Sequence, residues 1–194
     1  MTTASRRRPA RERLLAAADD LMFVEGVVLT PVDVILRRSG ASAATLYANF
    51  GSKDGLIAAA LERRLSEWTA AWDSALAEAT TPVERLLSIF PALRSYQYDR
   101  LHERWCAFSG TAAAIYEPTP EVAAALRAEE QLLSERMLDY AAEVVGPDRA
   151  PALADQVTTA YFGTLVGMLR RDQDRSILGG EGTARAIIDS FVGE

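Results

Sequence analysis

The sequence predicts an all-α protein of about nine helices, with an N-terminal helix-turn-helix (three-helix) domain and a larger C-terminal helical domain. Three observations lead there. Apolar residues recur every three or four positions along most of the chain, and the alternation of a half-buried strand is scarce. Glycine and proline fall in clusters that mark off segments of helical length. Near the N-terminus, two short helical segments are separated by a tight turn containing glycine, which is the spacing of a helix-turn-helix.

Residues 1–9 read as a basic arm ending at Pro9. A first helix is expected over about 10–25, with Leu14, Leu15, Ala18, Leu21 and Met22 on one face and Gly26 as its stop. Thr30-Pro31-Val32-Asp33 is a start signal: Thr30 can cap, Pro31 suits the first helical position, and Asp33 favours the positive end of the dipole. That second helix is short, because Gly40 is placed to adopt a left-handed C-terminal cap. Ser42 can cap a third helix over about 43–48. After Gly51, Ser52 caps a long fourth helix carrying Leu56, Ile57, Ala60, Leu61, Leu65, Trp68 and Trp72, which fades near Thr80-Thr81-Pro82. It is long enough to link two domains, expected at 1–51 and 52–194. Further helices are expected at about 83–100, 103–115, 120–145, 150–172 and 182–192, with breaks at Glu117-Pro118-Thr119-Pro120, Gly146-Pro147 and Gly179-Gly180.

Composition narrows the functional classes. With 49% hydrophobic residues among 194, the chain can bury a sizeable core. No apolar run approaches the roughly 20 residues that span a bilayer, and Arg11-Glu12-Arg13 interrupts any signal-peptide pattern. A cytoplasmic protein with no membrane partner is therefore expected. The single cysteine, Cys106, excludes an intrachain disulfide and a cysteine-based zinc site, and a structural role for it is favoured over a thiol sensor. No Ser/His/Asp grouping, phosphate-binding glycine loop or paired-carboxylate signature stands out, so neither an enzyme nor a cofactor is expected. His102 is the only histidine, and with Asp99 it falls well short of the ligand set of a di-iron bundle.

The net charge of −6 conceals an asymmetry: residues 1–64 carry +3 and residues 65–194 carry −9. Five arginines fall in the first thirteen residues. A polyanion-binding end joined to an acidic body fits that division.

The segment that carries most information is Ser42-Ala43-Ala44-Thr45-Leu46-Tyr47-Ala48-Asn49-Phe50-Gly51-Ser52-Lys53-Asp54-Gly55-Leu56. A recognition helix must present its early residues to base edges while neighbouring groups hold phosphates. Ser42, Ala43 and Thr45 lie on the early turns of the third helix, and Leu46 and Phe50 face inward. The Tyr47 ring can pack while its hydroxyl reaches a phosphate. Lys53 stands at the start of the fourth helix, where free N–H groups and the dipole already favour an anion, and Thr30 occupies the same place on the second.

On these residues the chain resembles the tetracycline-repressor (TetR) family, whose DNA-binding segment shows Thr-Leu-Tyr, an aromatic one turn later, then Ser-Lys-Asp/Glu. The resemblance extends upstream through Ala16-Ala17-Ala18, Phe23, Glu25, Gly26, Thr30, Val32, Ile35, Ser39 and Gly40, covering about residues 10–62. It implies that Thr30, Tyr47 and Lys53 hold phosphates. One departure stands at Ala43-Ala44, where the family often has a polar or basic residue followed by glycine. Any readout at Ala43 is then apolar, against a thymine methyl for instance, and base hydrogen bonding falls on Ser42, Thr45 and Asn49. Arg37 and Arg38 are phosphate or surface residues. Arg6, Arg7 and Arg8 either enter an adjacent minor groove or supply salt-sensitive attraction, with the second favoured.

The resemblance further implies a body that binds a small molecule and forms a homodimer. Trp72, Tyr96, His102, Trp105, Tyr140 and Tyr161 are the candidate ligand-binding residues, suited to an apolar or aromatic effector. Dimerisation is expected on the last two helices, through Val157, Tyr161, Thr164, Leu165 and Met168 and then Ile187, Ile188 and Phe191. Gly163 and Gly167 would leave a groove for a second helix. The expected function is a ligand-responsive regulator, a repressor in the usual case, that binds a palindromic operator in double-stranded DNA and is released by its effector. An enzyme and a protein-binding helical adaptor are the rival classes.

Overall fold

Glycines and polar caps set most of the helix boundaries in this chain. The computed structural model describes residues 8–100 and 106–193. Among them every regular element is an α-helix: α1 (Ala10–Glu25), α2 (Val32–Ser39), α3 (Ala43–Phe50), α4 (Lys53–Ala77), α5 (Pro82–Leu87), α6 (Ile89–Arg100), α7 (Ala107–Ala114), α8 (Pro120–Val145), α9 (Ala150–Met168) and α10 (Gln173–Val192). Only Ser88 separates α5 from α6, so the two occupy the place of one expected helix. Gly40 ends α2 in the left-handed region at φ 62°, and its N–H bonds the Leu36 carbonyl. The Ser42 hydroxyl caps α3 by accepting the Thr45 N–H at 3.2 Å. Thr81 and Glu84 form a capping box at the start of α5.

Several boundaries differ from the sequence reading, α9 for one ending at Met168 rather than near residue 172. Helix α2 begins one residue late, with Pro31 rather than Thr30 in the cap position. Thr30 is fully buried, and its hydroxyl donates to the Gly26 carbonyl at 2.8 Å, closing the loop behind it. Helix α3 runs to Phe50, two residues beyond expectation, before Gly51 turns the chain at φ 73°. Helix α10 starts at Gln173, because the Asp172 carboxylate accepts the Arg175 N–H at 2.9 Å and caps it. Gly179 and Gly180 therefore lie inside a helix instead of breaking one. Glycine weakens a helix by about 1 kcal/mol relative to alanine, but at residue 180 packing requires it. A Cβ there would collide with the Thr164 hydroxyl and stand 3.1 Å from the Phe90 ring.

Backbone contacts divide the chain into two units, residues 1–63 with 107–126, and residues 64–106 with 127–194. The first division falls within α4 rather than at residue 51, since Leu56, Ile57, Ala60 and Leu61 are buried in the first unit. In that unit α1 packs on both α2 and α3, and Leu14, Ala18, Met22, Ile35 and Leu46 are closed to solvent. In the second unit α10 packs chiefly on α9 and also on α6 and α5. Its core runs from Trp68 and Trp72 through Leu86, Phe90 and Leu93 to Met137, Leu153, Val157, Tyr161, Ile177 and Ile188. The buried Trp72 indole donates to the Ser88 hydroxyl at 2.8 Å, so the residue that interrupts α5–α6 also satisfies the tryptophan. Among the described residues, no helix is long and apolar enough to cross a membrane.

Candidate nucleic-acid interface

Ser42, a candidate site residue, is the cap of α3. Its hydroxyl accepts the Thr45 N–H and also lies 2.8 Å from the Thr45 hydroxyl. Such a cap is worth about 1 kcal/mol. Leu46 alone among the eight residues of α3 is buried, which fixes the helix on α1 and turns the opposite side outward. Ala43, Ala44, Ala48 and Asn49 are exposed, and Tyr47 is 54% exposed. The Asn49 amide is committed to its own helix, donating to the Thr45 carbonyl at 2.8 Å. The outward face of α3 therefore combines methyl groups with the Tyr47 ring, while the polar groups of Ser42, Thr45 and Asn49 make local bonds that readout would have to exchange.

Lys53 opens α4 and is half-exposed. Its ammonium donates to the Val28 carbonyl at 3.4 Å, beside the loop that leads into α2. Thr30 departs from its expected role: with no exposed surface, its side chain can reach neither solvent nor a phosphate. Arg37 and Arg38 are exposed and paired with acidic residues, Arg37 with Asp33 and Arg38 with Asp20 at 3.8 Å. Arg8 is exposed; Arg6 and Arg7 lie outside the described residues.

Three residues of this unit escaped the sequence reading. Arg13 donates from Nε to the Ser39 carbonyl at 2.9 Å, from Nη2 to the Gly40 carbonyl at 3.4 Å, and from Nη1 to the Arg8 carbonyl at 2.8 Å. The Arg11 guanidinium stands 5.2 Å from the centre of the Phe50 ring. Gly55 lies where a Cβ would collide with the Phe50 carbonyl, so the first turn of α4 closes tightly on the end of α3. Sequence inspection counts both arginines only as charge, because contacts with a ring or a carbonyl more than twenty residues away leave no local pattern.

The body candidates divide. Trp72 is fully buried with its N–H satisfied, which makes it a core residue rather than a pocket wall. The Tyr161 ring is also in the core, stacked 6.3 Å from Trp68 and edge-on to Phe90 at 6.4 Å. Burial pushes its hydroxyl well above the usual phenol value, with Cys106, Glu129 and Tyr96 reinforcing the shift. Tyr96 is half-buried, 5.6 Å edge-on to Trp68, and its hydroxyl accepts from the buried Arg64 at 3.3 Å. Tyr140 is half-buried, and desolvation raises its hydroxyl. Desolvation, with Glu130 adjacent, also lifts Glu129 from 4.5 to about 7. Trp68, Tyr96 and Tyr161 are thus brought together, with Arg64 bonded to the Tyr96 hydroxyl and the charge of Glu129 felt at Tyr161. Arg64 and Glu129 carry no sequence signal that sets them apart from other charged residues of the body. His102 and Trp105 lie outside the described residues, and Cys106 is half-buried. Among the described residues no group of three His, Cys, Asp or Glu side chains could hold a metal.

The expected dimer stripe is corrected. Val157, Tyr161, Thr164 and Ile188 are buried in the chain's own core, and Leu165, Met168, Ile187 and Phe191 pack partly against it. A Cβ on Gly167 would meet Ser176 at 3.3 Å, so that glycine serves α9–α10 packing within the chain, whereas Gly163 faces open space. The large apolar residues these two helices expose are Phe162, Val166, Leu178 and Val192. The inward half of the stripe is core and the partly exposed half is not, because a stripe alone does not say which neighbour covers it.

Comparison with known proteins adds the following. Residues 14–60 match the family model of bacterial regulatory proteins of the tetR family. A TetR-family transcriptional regulator from Streptomyces coelicolor superposes with a TM-score of 0.83 at 21% identity, over 94% of this chain and 96% of that one. A TetR-type regulator from Streptomyces avermitilis gives 0.74 at 24% identity, over 95% and 98%. One from Legionella pneumophila gives 0.74 at 19%, over 95% and 98%. No curated protein sequence matches.

Proposed function

We propose that this chain, a TetR-family regulator by the sequence of its head and the fold of the whole, is a homodimeric cytoplasmic repressor that binds a palindromic operator and is released by a small apolar or aromatic molecule. The observation that carries the reading is α3, capped at Ser42, anchored through Leu46 and otherwise turned outward with Tyr47 exposed. Two such helices related by two-fold symmetry enter successive major grooves about 34–36 Å apart. Tyr47 and Lys53 hold phosphates, Ala43 meets a base methyl, and Ser42, Thr45 and Asn49 exchange their local bonds for base or phosphate partners. Residues 1–51, together with Lys53 at the start of α4, supply the contacts, and the remainder supplies pairing and response. Phe162, Val166, Leu178 and Val192, exposed on two helices that pack on each other, support pairing through α9 and α10.

The effector site is placed at Tyr96, half-buried with its ring edge-on to Trp68, and at the half-buried Tyr140 of α8. The effector acts through α4, which carries Lys53 at its start and Trp68 and Trp72 in later turns. It shifts that helix only by its differential affinity for two positions. Gel retardation on promoter fragments tests the reading: specific retardation is expected, lost in a Tyr47→Phe plus Lys53→Ala variant. Retardation that survives both substitutions removes the proposed contacts, and turnover of a substrate without any duplex binding favours an enzyme.

A further inference from the structure

We infer that Arg13 is a positioning residue that ties the root of the basic arm to the turn ahead of the recognition helix, so that arm and helix engage DNA as one body. The inference rests on the operator-binding reading above. One guanidinium serves three carbonyls: Ser39 at 2.9 Å, Gly40 at 3.4 Å and Arg8 at 2.8 Å. The first two belong to the C-terminal end of α2, where carbonyls lack helical partners and the negative end of the dipole attracts a cation. The third is the last backbone acceptor before Pro9 and α1. Two of the guanidinium's N–H bonds therefore hold the turn and one holds the arm.

The far side of that bridge is itself stiff. The Ser39 hydroxyl donates to the Leu36 carbonyl at 3.1 Å and accepts the Ala41 N–H at 3.3 Å. Three residues after Ser39, Ser42 caps α3. At the far end of α3, Arg11 lies over the Phe50 ring, so the first turn of α1 meets both the turn that leads into the recognition helix and the residue that ends it. A planar fork with several fixed donors can satisfy carbonyls in three directions; an ammonium group of the same charge cannot do so from one position. All three guanidinium nitrogens of Arg13 point at backbone oxygens, which distinguishes it from an arginine waiting for a phosphate.

A double-mutant cycle on the full chain tests this, with a promoter fragment retarded by the wild type and with thermal melts to confine each comparison to folded protein. Arg13→Met and Arg13→Lys are each expected to weaken binding about tenfold, the lysine failing to rescue although it keeps the charge. Replacing Arg6, Arg7 and Arg8 with alanine is expected to weaken the wild type about tenfold or more. The same change should weaken either Arg13 variant less than about threefold, because the arm is already uncoupled. If Arg13→Met does not fold, the Arg13→Lys cycle decides. Additive effects overturn the inference, as does wild-type affinity in Arg13→Lys. So does a salt slope lowered by about one in Arg13→Met, which would make Arg13 a phosphate contact. In those cases the operator reading stands; a wild type that binds no duplex ends both.

Discussion

Adjacent glycines in α10 should respond in opposite directions to the same substitution. Gly179→Ala places its methyl in open space, with no heavy atom within 4 Å. The change should stabilise the chain by about 0.5–1 kcal/mol, the helix-propensity difference between the two residues. Gly180→Ala gains the same propensity but drives its methyl into the Thr164 hydroxyl, 3.0 Å from the Thr164 Cβ and 3.1 Å from Phe90 Cε1. Neither neighbour can yield readily. Phe90 is fully buried, and Thr164 is 3% exposed with its hydroxyl donating to the Ala160 carbonyl at 2.8 Å. Overpacking of this kind costs about 1–3 kcal/mol, and rotating Thr164 away from its acceptor adds about 1 kcal/mol. After the propensity gain, the net loss is about 1–3 kcal/mol, which separates the two variants by roughly 2–4 kcal/mol. Urea unfolding at one fixed protein concentration, followed by the fluorescence of Trp68 and Trp72 in the same core, measures the difference. Thr164→Ala combined with Gly180→Ala should recover at least about 1 kcal/mol relative to additivity. Equal stability of the two glycine variants would refute the close approach of α10 to α9 at residue 180.

Three further outcomes follow from described contacts. Glu129 binds its proton more tightly folded, at about 7, than at its ordinary 4.5, so its charge lowers stability progressively as pH rises between those values. Glu129→Gln should therefore match the wild type near pH 4.5 and exceed it by about 2–3 kcal/mol at pH 8; a difference independent of pH in unfolding titrations would refute this. Ser88→Ala removes the acceptor of the buried Trp72 indole and should destabilise by about 1–3 kcal/mol, with a shift in tryptophan emission; unchanged unfolding would show that the indole finds another acceptor. Gly55→Ala forces a methyl onto a backbone carbonyl that cannot rotate away. It should loosen the end of α3 and weaken operator binding about tenfold, and hydrogen exchange of the α3 amides that stays at the wild-type rate would count against it.

The head was legible because its signals are local. Gly40, Ser42 and Gly51 act on neighbouring backbone, and each stands where the sequence puts it. Thr30 misled because threonine before Pro31 reads as a cap, whereas here its hydroxyl turns back to Gly26 and the side chain is sealed. The start of α10 was hidden for the opposite reason: Gly179-Gly180 reads as a break, and only the neighbouring Thr164 and Phe90 explain why glycine is needed within a helix. The aromatic residues of the body show the same limit. Trp72, Tyr96 and Tyr161 are alike in pattern, and only their burial and the groups they meet, Ser88 at Trp72 and Arg64 at Tyr96, tell them apart. Arg13 was beyond pattern altogether, since its acceptors are 26 and 27 residues away.

Ala43, Ala44 and Ala48 stand exposed on α3 with no cap, core contact or ion pair depending on them. Alanine already has the highest helix propensity, and most replacements at exposed helical positions change stability by less than about 0.7 kcal/mol. Randomising these three positions would therefore change which sequences are selected while leaving the scaffold intact. On the operator-binding reading, a surface with so few polar groups is, for the same reason, the part of the chain most open to retargeting.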